Sequence, residues 1–268
     1  MLKFPLSSVR NLLLSAQGLL EPSAPAASRA DVLACIRRIG ALQIDTISVV
    51  ERAPFFILYS RLGAYPTGWL NDLLVERSIF EYWSHAACYL PMEDYPLYRR
   101  KMMERFMAWW GEVDEWLGKN AELAQFILGR IRAEGALRSA DFENPEHKSG
   151  GWWEWKKEKL ALEYLFLAGE LMVARRDGFQ RVYDLRERVV PDWDDARTPS
   201  MDAVRRELAL RAVRCLGVAH ESWVADYFRL KKKDMPALLS GLAAEGALLP
   251  VEIEGLPGPA YLHPEQAS

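Results

Sequence analysis

The chain has 268 residues, half of them hydrophobic and 26% charged, with a net charge of −3 and a pI near 5.9. That is enough for a sizeable core in roughly one to three globular domains, and the charge gives none of the basic footprint usual in nucleic-acid binders. No uncharged apolar stretch reaches the ~18 residues of a membrane span, and Cys35, Cys88 and Cys215 have no CxxC spacing, which fits a reducing cytoplasm and argues against zinc.

In chain order, residues 6–20 predict an amphipathic helix, because Arg10 and Asn11 interrupt the apolar run a signal peptide would need. A loop with Pro22 and Pro25 follows. Ser28 and Asp31 then open a helix with a capping box, and Gly40 ends it. Next comes Leu42-Gln43-Ile44-Asp45. In an extended segment successive side chains point to opposite sides, so Gln43 and Asp45 share one face while Ile44 enters the core. Such a pair can hold a water, with Asp45 as its base. Alternatively Asp45 is the N-cap of the next helix, with Ser48 three residues on, and Gln43 satisfies a backbone group. Ser48 and Glu51 also have capping-box spacing, and Pro54 is expected to interrupt the helix beyond. Residues 66–74 read as a short helix and IFEYWSHAACYLP as strands closing a small sheet. In the latter, Trp83, Ser84 and His85 are candidates to line a site, or else ordinary core residues.

Residues 94–115 are helical in pattern, with Met102, Met103, Phe106, Met107 and Trp110 as a packing stripe. A helix over 121–133 and a shorter one from Ser139 follow. Trp152, Trp153 and Trp155 read as a packed junction before a long helix ended by Gly169. Asp177-Gly178 then marks a hairpin between two Arg-decorated, β-prone runs. Three helices and a basic hairpin make a winged helix-turn-helix, whose third helix usually enters the major groove. Residues 201–216, 221–230 and 234–245 repeat the helices, and a hairpin with Gly255 at its turn repeats the wing. The expected fold is therefore α+β, mainly α with small β-hairpins. It divides into tandem winged helix-turn-helix domains at 1–95, 121–192 and 193–268, with a connecting helix at 96–120 and a linker at 191–199. Candidate DNA contacts are Arg175, Arg176 and Arg181 on the hairpin, Lys156 and Lys157, and Lys231 and Lys232. Arg99-Arg100-Lys101 is a further basic run, and each cluster also reads as a solvated helix face.

QIDTISVVERAPFFILYSRLGAYPTGWL, EYWSHAACYLP, RSADFENPEHKSGGWWEWK, FQRVYDLRERVVPDWDD and WVADYFRLKK, in that order over nearly the whole chain, resemble the winged-helix DNA glycosylases of the YcaQ type. The resemblance implies hydrolysis of the N-glycosidic bond of N7-alkylated guanine, including unhooking of interstrand crosslinks. It also implies double-stranded DNA as partner, a monomer, no cofactor or metal, and no membrane. The family's Gln–apolar–Asp signature falls on Gln43, Ile44 and Asp45. Members continue into a basic, β-rich C-terminal region, which is expected to be absent here. Because an N7-alkylated guanine is already a cationic leaving group, the chemistry asks for a water beneath C1′ and a negative field for an oxocarbenium-like sugar. Asp45 suits both demands, and Gln43 can orient the water; no lysine nucleophile is required. A crosslink tethers both bases, so full flipping is awkward and a shallow cleft is expected. The competing reading is a winged-helix DNA-binding protein without catalysis, a regulator or an inactive truncated relative. The expected location is the cytoplasm, at the nucleoid when acting.

Overall fold

The computed structural model describes residues 2–20, 26–45, 50–105, 110–142 and 157–267. After β1 (Leu2–Phe4) and α1 (Leu6–Ala16), one pattern of elements occurs three times: helix, short strand, two helical segments and a hairpin. Its first occurrence is α2 (Arg29–Ile39), β2 (Leu42–Gln43), α3 (Ala53–Leu62), α4 (Trp69–Val75), β3 (Ile79–Trp83) and β4 (Ala87–Pro91). Then come α5 (Tyr95–Met103) and α6 (Trp110–Lys119). The second is α7 (Ala121–Glu134), β5 (Leu137–Arg138), a 3-10 turn at Ser139–Phe142, α8 (Lys157–Leu167), β6 (Leu171–Asp177) and β7 (Gln180–Leu185). After α9 (Arg186–Val189), the third is α10 (Met201–Leu216), β8 (Val218–His220), α11 (Glu221–Tyr227), α12 (Met235–Ala244), β9 (Leu249–Ile253) and β10 (Leu256–Leu262).

The sheets repeat as well. Each short strand lies beside the second hairpin strand, in the orders β2-β4-β3, β5-β7-β6 and β8-β10-β9. That is the winged-helix plan, and the fold is α+β. The third sheet gains β1, parallel to β9 with Leu2 opposite Val251 and Phe4 opposite Ile253. Three residues carry too little pattern for this strand to be read from sequence.

The helix signals are realised with two differences. Ser28 and Asp31 form the capping box of α2, each side chain accepting from the other's backbone N–H. Pro54 sits in the first turn of α3 and does not interrupt it, because a missing N–H costs nothing where no intrahelical partner exists. The connecting segment is two helices. The first ends at Met103 and is followed by Arg105 in the left-handed region at φ +50°. Of the packing stripe, Met102 is buried and Met103 exposed. Ser48, Phe106, Met107, Trp152, Trp153 and Trp155 lie outside the described residues.

By contacts the chain forms two compact units that ignore chain order. One comprises Met1–Trp69, Tyr82–Pro91 and Ser200–Ser268; the other comprises Leu70–Glu81 and Met92–Pro199. In the first, Val9, Val218, Val251, Ile253, Ala260 and Leu262 form a core against which Phe4, Leu12 and Trp223 pack. In the second, the Phe80 ring meets Tyr95 and Tyr98 edge-on at 5.7 and 5.8 Å. The stretch expected as a linker is tied into that unit. Arg99 grips Asp195 with two hydrogen bonds of 2.8 and 2.6 Å, and Trp193 donates to the same carboxylate at 3.0 Å. Arg99 and Lys101 of the basic run are buried.

Candidate active site

The site is built on β2. Leu42 and Ile44 are buried, and Gln43 and Asp45 between and beyond them are half-buried. Gln43 pairs with Cys88 in the antiparallel ladder, and the Ile44 N–H donates to the Ala87 carbonyl at 2.7 Å. Burying two aliphatic side chains is worth about 1.5–3 kcal/mol each, and a one-residue slip would exchange them for the polar pair. Hydrophobic burial therefore holds Gln43 and Asp45 outward on one face. Among the described residues the Gln43 side-chain amide has no hydrogen-bond partner. Residues 46–49 are not described, so the N-cap role for Asp45, which involves Ser48, lies outside them.

The corner that delivers the chain into β2 is fixed by residues far away in sequence. Gly40 has φ +69°, and a Cβ there would lie 3.1 Å from the Phe228 ring and 3.4 Å from Cys215 Sγ. Tyr227 Oη donates to the Ile39 carbonyl at 2.7 Å and accepts from Gln17 Nε2 at 3.2 Å. Gln17 Nε2 also donates to the Cys215 carbonyl at 2.7 Å, while Arg61 Nε donates to the Gln17 carbonyl at 2.8 Å. Burial pushes the Tyr227 phenol well above its ordinary pKa, so it remains a donor. Gly40 was legible as a helix stop, but Gln17, Arg61, Cys215, Tyr227 and Phe228 carried no local signal, since each acts across the fold.

Trp83 ends β3, and the turn to β4 carries Ser84 and His85, with the Ser84 N–H donating to the Ala86 carbonyl at 2.8 Å. Ser84 is buried, and Trp83 and His85 are half-buried. The β2–β4 register, continued one step past Ile44, brings this turn beside Asp45.

The hairpin cations separate into two kinds. Arg176 and Arg181 face each other across the ladder, a like-charge pairing that is unfavourable unless compensated. Glu81, with a fully buried side chain, compensates it. Arg176 donates to both its oxygens at 2.9 Å, and Arg181 Nε donates to one of them. Arg181 also donates to Glu163 at 2.7 Å, and Tyr183 Oη donates to the same carboxylate at 3.0 Å. These two guanidinium groups, expected to meet DNA, are thus engaged inside the unit. The inward turn of Arg176 follows a β-bulge between Val173 and Arg175, because one extra residue reverses the faces beyond it. Arg175 stays on the surface, 43% exposed and 3.2 Å from Asp177. Lys157, Lys231 and Lys232 are exposed, with Lys232 Nζ 3.1 Å from Asp226. Lys156 lies outside the described residues.

Three winged-helix units, with an amide on the short strand of the first and a carboxylate two residues further on, define a DNA-binding architecture with the makings of a hydrolytic site. The DNA glycosylase AlkZ-like family model matches residues 36–268, and the chain belongs to that family. DNA glycosylase is its activity class and DNA its partner. In fold it is similar to the DNA glycosylase AlkZ of Streptomyces sahachiroi at a TM-score of 0.67 and 17% identity, a match covering 99% of this chain and 71% of that one.

Proposed function

We propose that the chain is a monofunctional glycosylase hydrolysing the N-glycosidic bond of N7-alkylated guanine, including crosslinked guanine. A water activated by Asp45 and oriented by Gln43 attacks C1′, and the Asp45 carboxylate stabilises the positive charge developing on the sugar. The observation that supports this most is that β2 buries Leu42 and leaves the Gln43 amide, on the face it shares with Asp45, without a hydrogen-bond partner among the described residues. The turn at Trp83, Ser84 and His85 is proposed as the adjoining wall of the site. Arg175, Lys156, Lys157, Lys231 and Lys232 are proposed to meet duplex phosphates, and Arg176 and Arg181 to brace the hairpin from which Arg175 projects. The winged-helix divisions at 1–95, 121–192 and 193–268 and action as a monomer belong to the same reading. So does a shallow approach to C1′ without full base extrusion.

The test is release of N7-methylguanine, and of one arm of a nitrogen-mustard crosslink, from duplex DNA. Asp45→Asn should lower the single-turnover rate by about 10²–10⁴ and Gln43→Ala by a smaller factor, with duplex affinity retained. An Asp45→Asn chain that releases the base at the unmodified rate removes the mechanism. A duplex bound without any base release by the unmodified chain removes the substrate assignment.

A further inference from the structure

A cavity of about 480 Å³ opens in the first compact unit, lined by Ala41, His85, Trp223, Asp226, Tyr227 and Arg229. Its volume is within the range of roughly 300–1,000 Å³ typical of ligand sites. Ala41 is two residues ahead of Gln43 and, in extended chain, on the same side as Gln43 and Asp45. His85 belongs to the turn beside Ala87, on which Ile44 docks. The cavity therefore borders both the strand and the turn of the candidate active site.

Arg229 is the unusual member of its wall. It follows α11 in the left-handed region at φ +54°. The Leu230 N–H reaches back to the Ala225 carbonyl at 2.8 Å, and the Arg229 N–H to the Asp226 carbonyl at 3.4 Å. This is the helix-ending geometry in which glycine is the usual residue, because a Cβ is strained there. The Arg229 side chain is 62% exposed, and among the described residues its one ionic contact is a long 3.9 Å approach to Asp226, a carboxylate that Lys232 also neutralises at 3.1 Å. The next basic residues, Lys231 and Lys233, are exposed on the same connection between α11 and α12. Cations beside aromatic rings are what a nucleotide requires, the cation for phosphate and the ring for sugar or base.

We infer that this cavity is a nucleotide subsite, in which Arg229 holds one backbone phosphate of the lesion-bearing strand and Trp223 packs against the neighbouring sugar and base. Asp226, facing the same space, is kept neutralised by Lys232. The subsite rests on the reading of Gln43 and Asp45 as the catalytic pair, because its place beside them is what sets the strand over Asp45.

Arg229→Gly separates this role from a structural one, since it removes the cation and the backbone strain together. The full chain carrying it should melt at an unchanged or higher temperature. Its duplex affinity should fall by roughly eight-fold at 0.1 M salt, and the slope of log K against log salt should shrink by about one, as for one lost phosphate contact. Arg229→Lys should keep most of the slope. The phosphate is located by replacing lesion-strand phosphates one at a time with methylphosphonate. One position near the N7-methylguanine should weaken binding by the unmodified chain and leave Arg229→Gly unaffected. Equal affinities and slopes for the unmodified chain and Arg229→Gly, or no such position, would overturn the subsite. Base release by Asp45→Asn in the same duplexes reads the catalytic assignment separately. An active Asp45→Asn sinks that assignment and leaves the phosphate contact standing, whereas an inactive one beside unchanged slopes sinks only the subsite.

Discussion

Gly169, Gly246 and Arg77 occupy one position in three copies of the same turn, where the last helix of each winged unit hands over to its hairpin. Their φ angles are +72°, +76° and +61°, and each N–H reaches back three residues while the next N–H reaches back five. Gly169 was legible as a helix stop, but Arg77 was not, because nothing local announces a left-handed arginine. An L residue there costs about 1–2 kcal/mol, partly offset by the greater chain entropy that glycine loses on folding. Arg77→Gly should therefore stabilise the protein by roughly 0.5–1 kcal/mol, visible as a raised urea midpoint at constant m-value. A lowered midpoint would mean that the exposed Arg77 side chain makes a stabilising contact. Tyr227 argues in the other direction. Tyr227→Phe keeps the ring and removes the donor to Ile39, so it should cost about 1 kcal/mol of stability. It should also slow base release at fixed duplex affinity, because the corner feeding Gln43 and Asp45 loosens. A stability loss with an unchanged rate would show that β2 is held by burial alone.

The bulged hairpin shows why element-level reading succeeded on position and failed on direction. Asp177-Gly178 marked the turn correctly, and Gly178 takes its first central place with φ +60°. Which face each arginine takes was set by the bulge at Ala174 and by Glu81, 95 residues earlier than Arg176, beyond the reach of any local pattern. A trace of it was present: Glu81 is the one charged residue in the otherwise apolar strand Ile79–Trp83. Glu81→Ala would leave two guanidinium groups buried against each other and should cost about 3–5 kcal/mol. Glu81→Ala combined with Arg176→Met should recover part of that, which thermal melting of the two variants would decide. The polar pair of Gln43 on β2 and Asp45 just beyond it was easier to read, since alternation with buried Leu42 and Ile44 is a local pattern.

The same unit carries a pH-sensitive tie. The Arg99 guanidinium, through its hydrogen bonds, holds the Asp195 carboxyl down at about 2, against an ordinary value of 3.8, despite the opposing effect of burial. A depressed folded-state pKa means stability that is fully present above about pH 4 and lost as the pH falls towards 2. Asp195→Asn should flatten the acid limb of the stability curve between those values and leave the neutral-pH dependence unchanged. An identical acid limb in the variant would assign that loss to other carboxylates.

At the scale of the whole molecule, the winged units follow one another along the chain, yet the compact units do not. The strand carrying the candidate catalytic residues belongs to a body completed by residues 200–268. From that segment come β9, which pairs with β1, the Cys215 and Phe228 side chains against which Gly40 packs, and the Tyr227 hydroxyl on Ile39. Periodicity sees each helix and hairpin but not which ones share a core, since that depends on contacts some 200 residues apart. Removing residues 200–268 should therefore do more than delete a DNA-binding wing. It strips α1 of its packing surface and the C-terminal end of α2 of its neighbours at Ile39 and Gly40, so the amides of β1, α1 and the last turn of α2 should lose hydrogen-exchange protection, while those of β6, β7 and α8 keep theirs. Base release should vanish with that protection. If the truncated chain instead keeps protected amides in the last turn of α2 and in β2, the first winged unit folds without the third, and the long-range contacts around Gly40 refine its geometry without creating it.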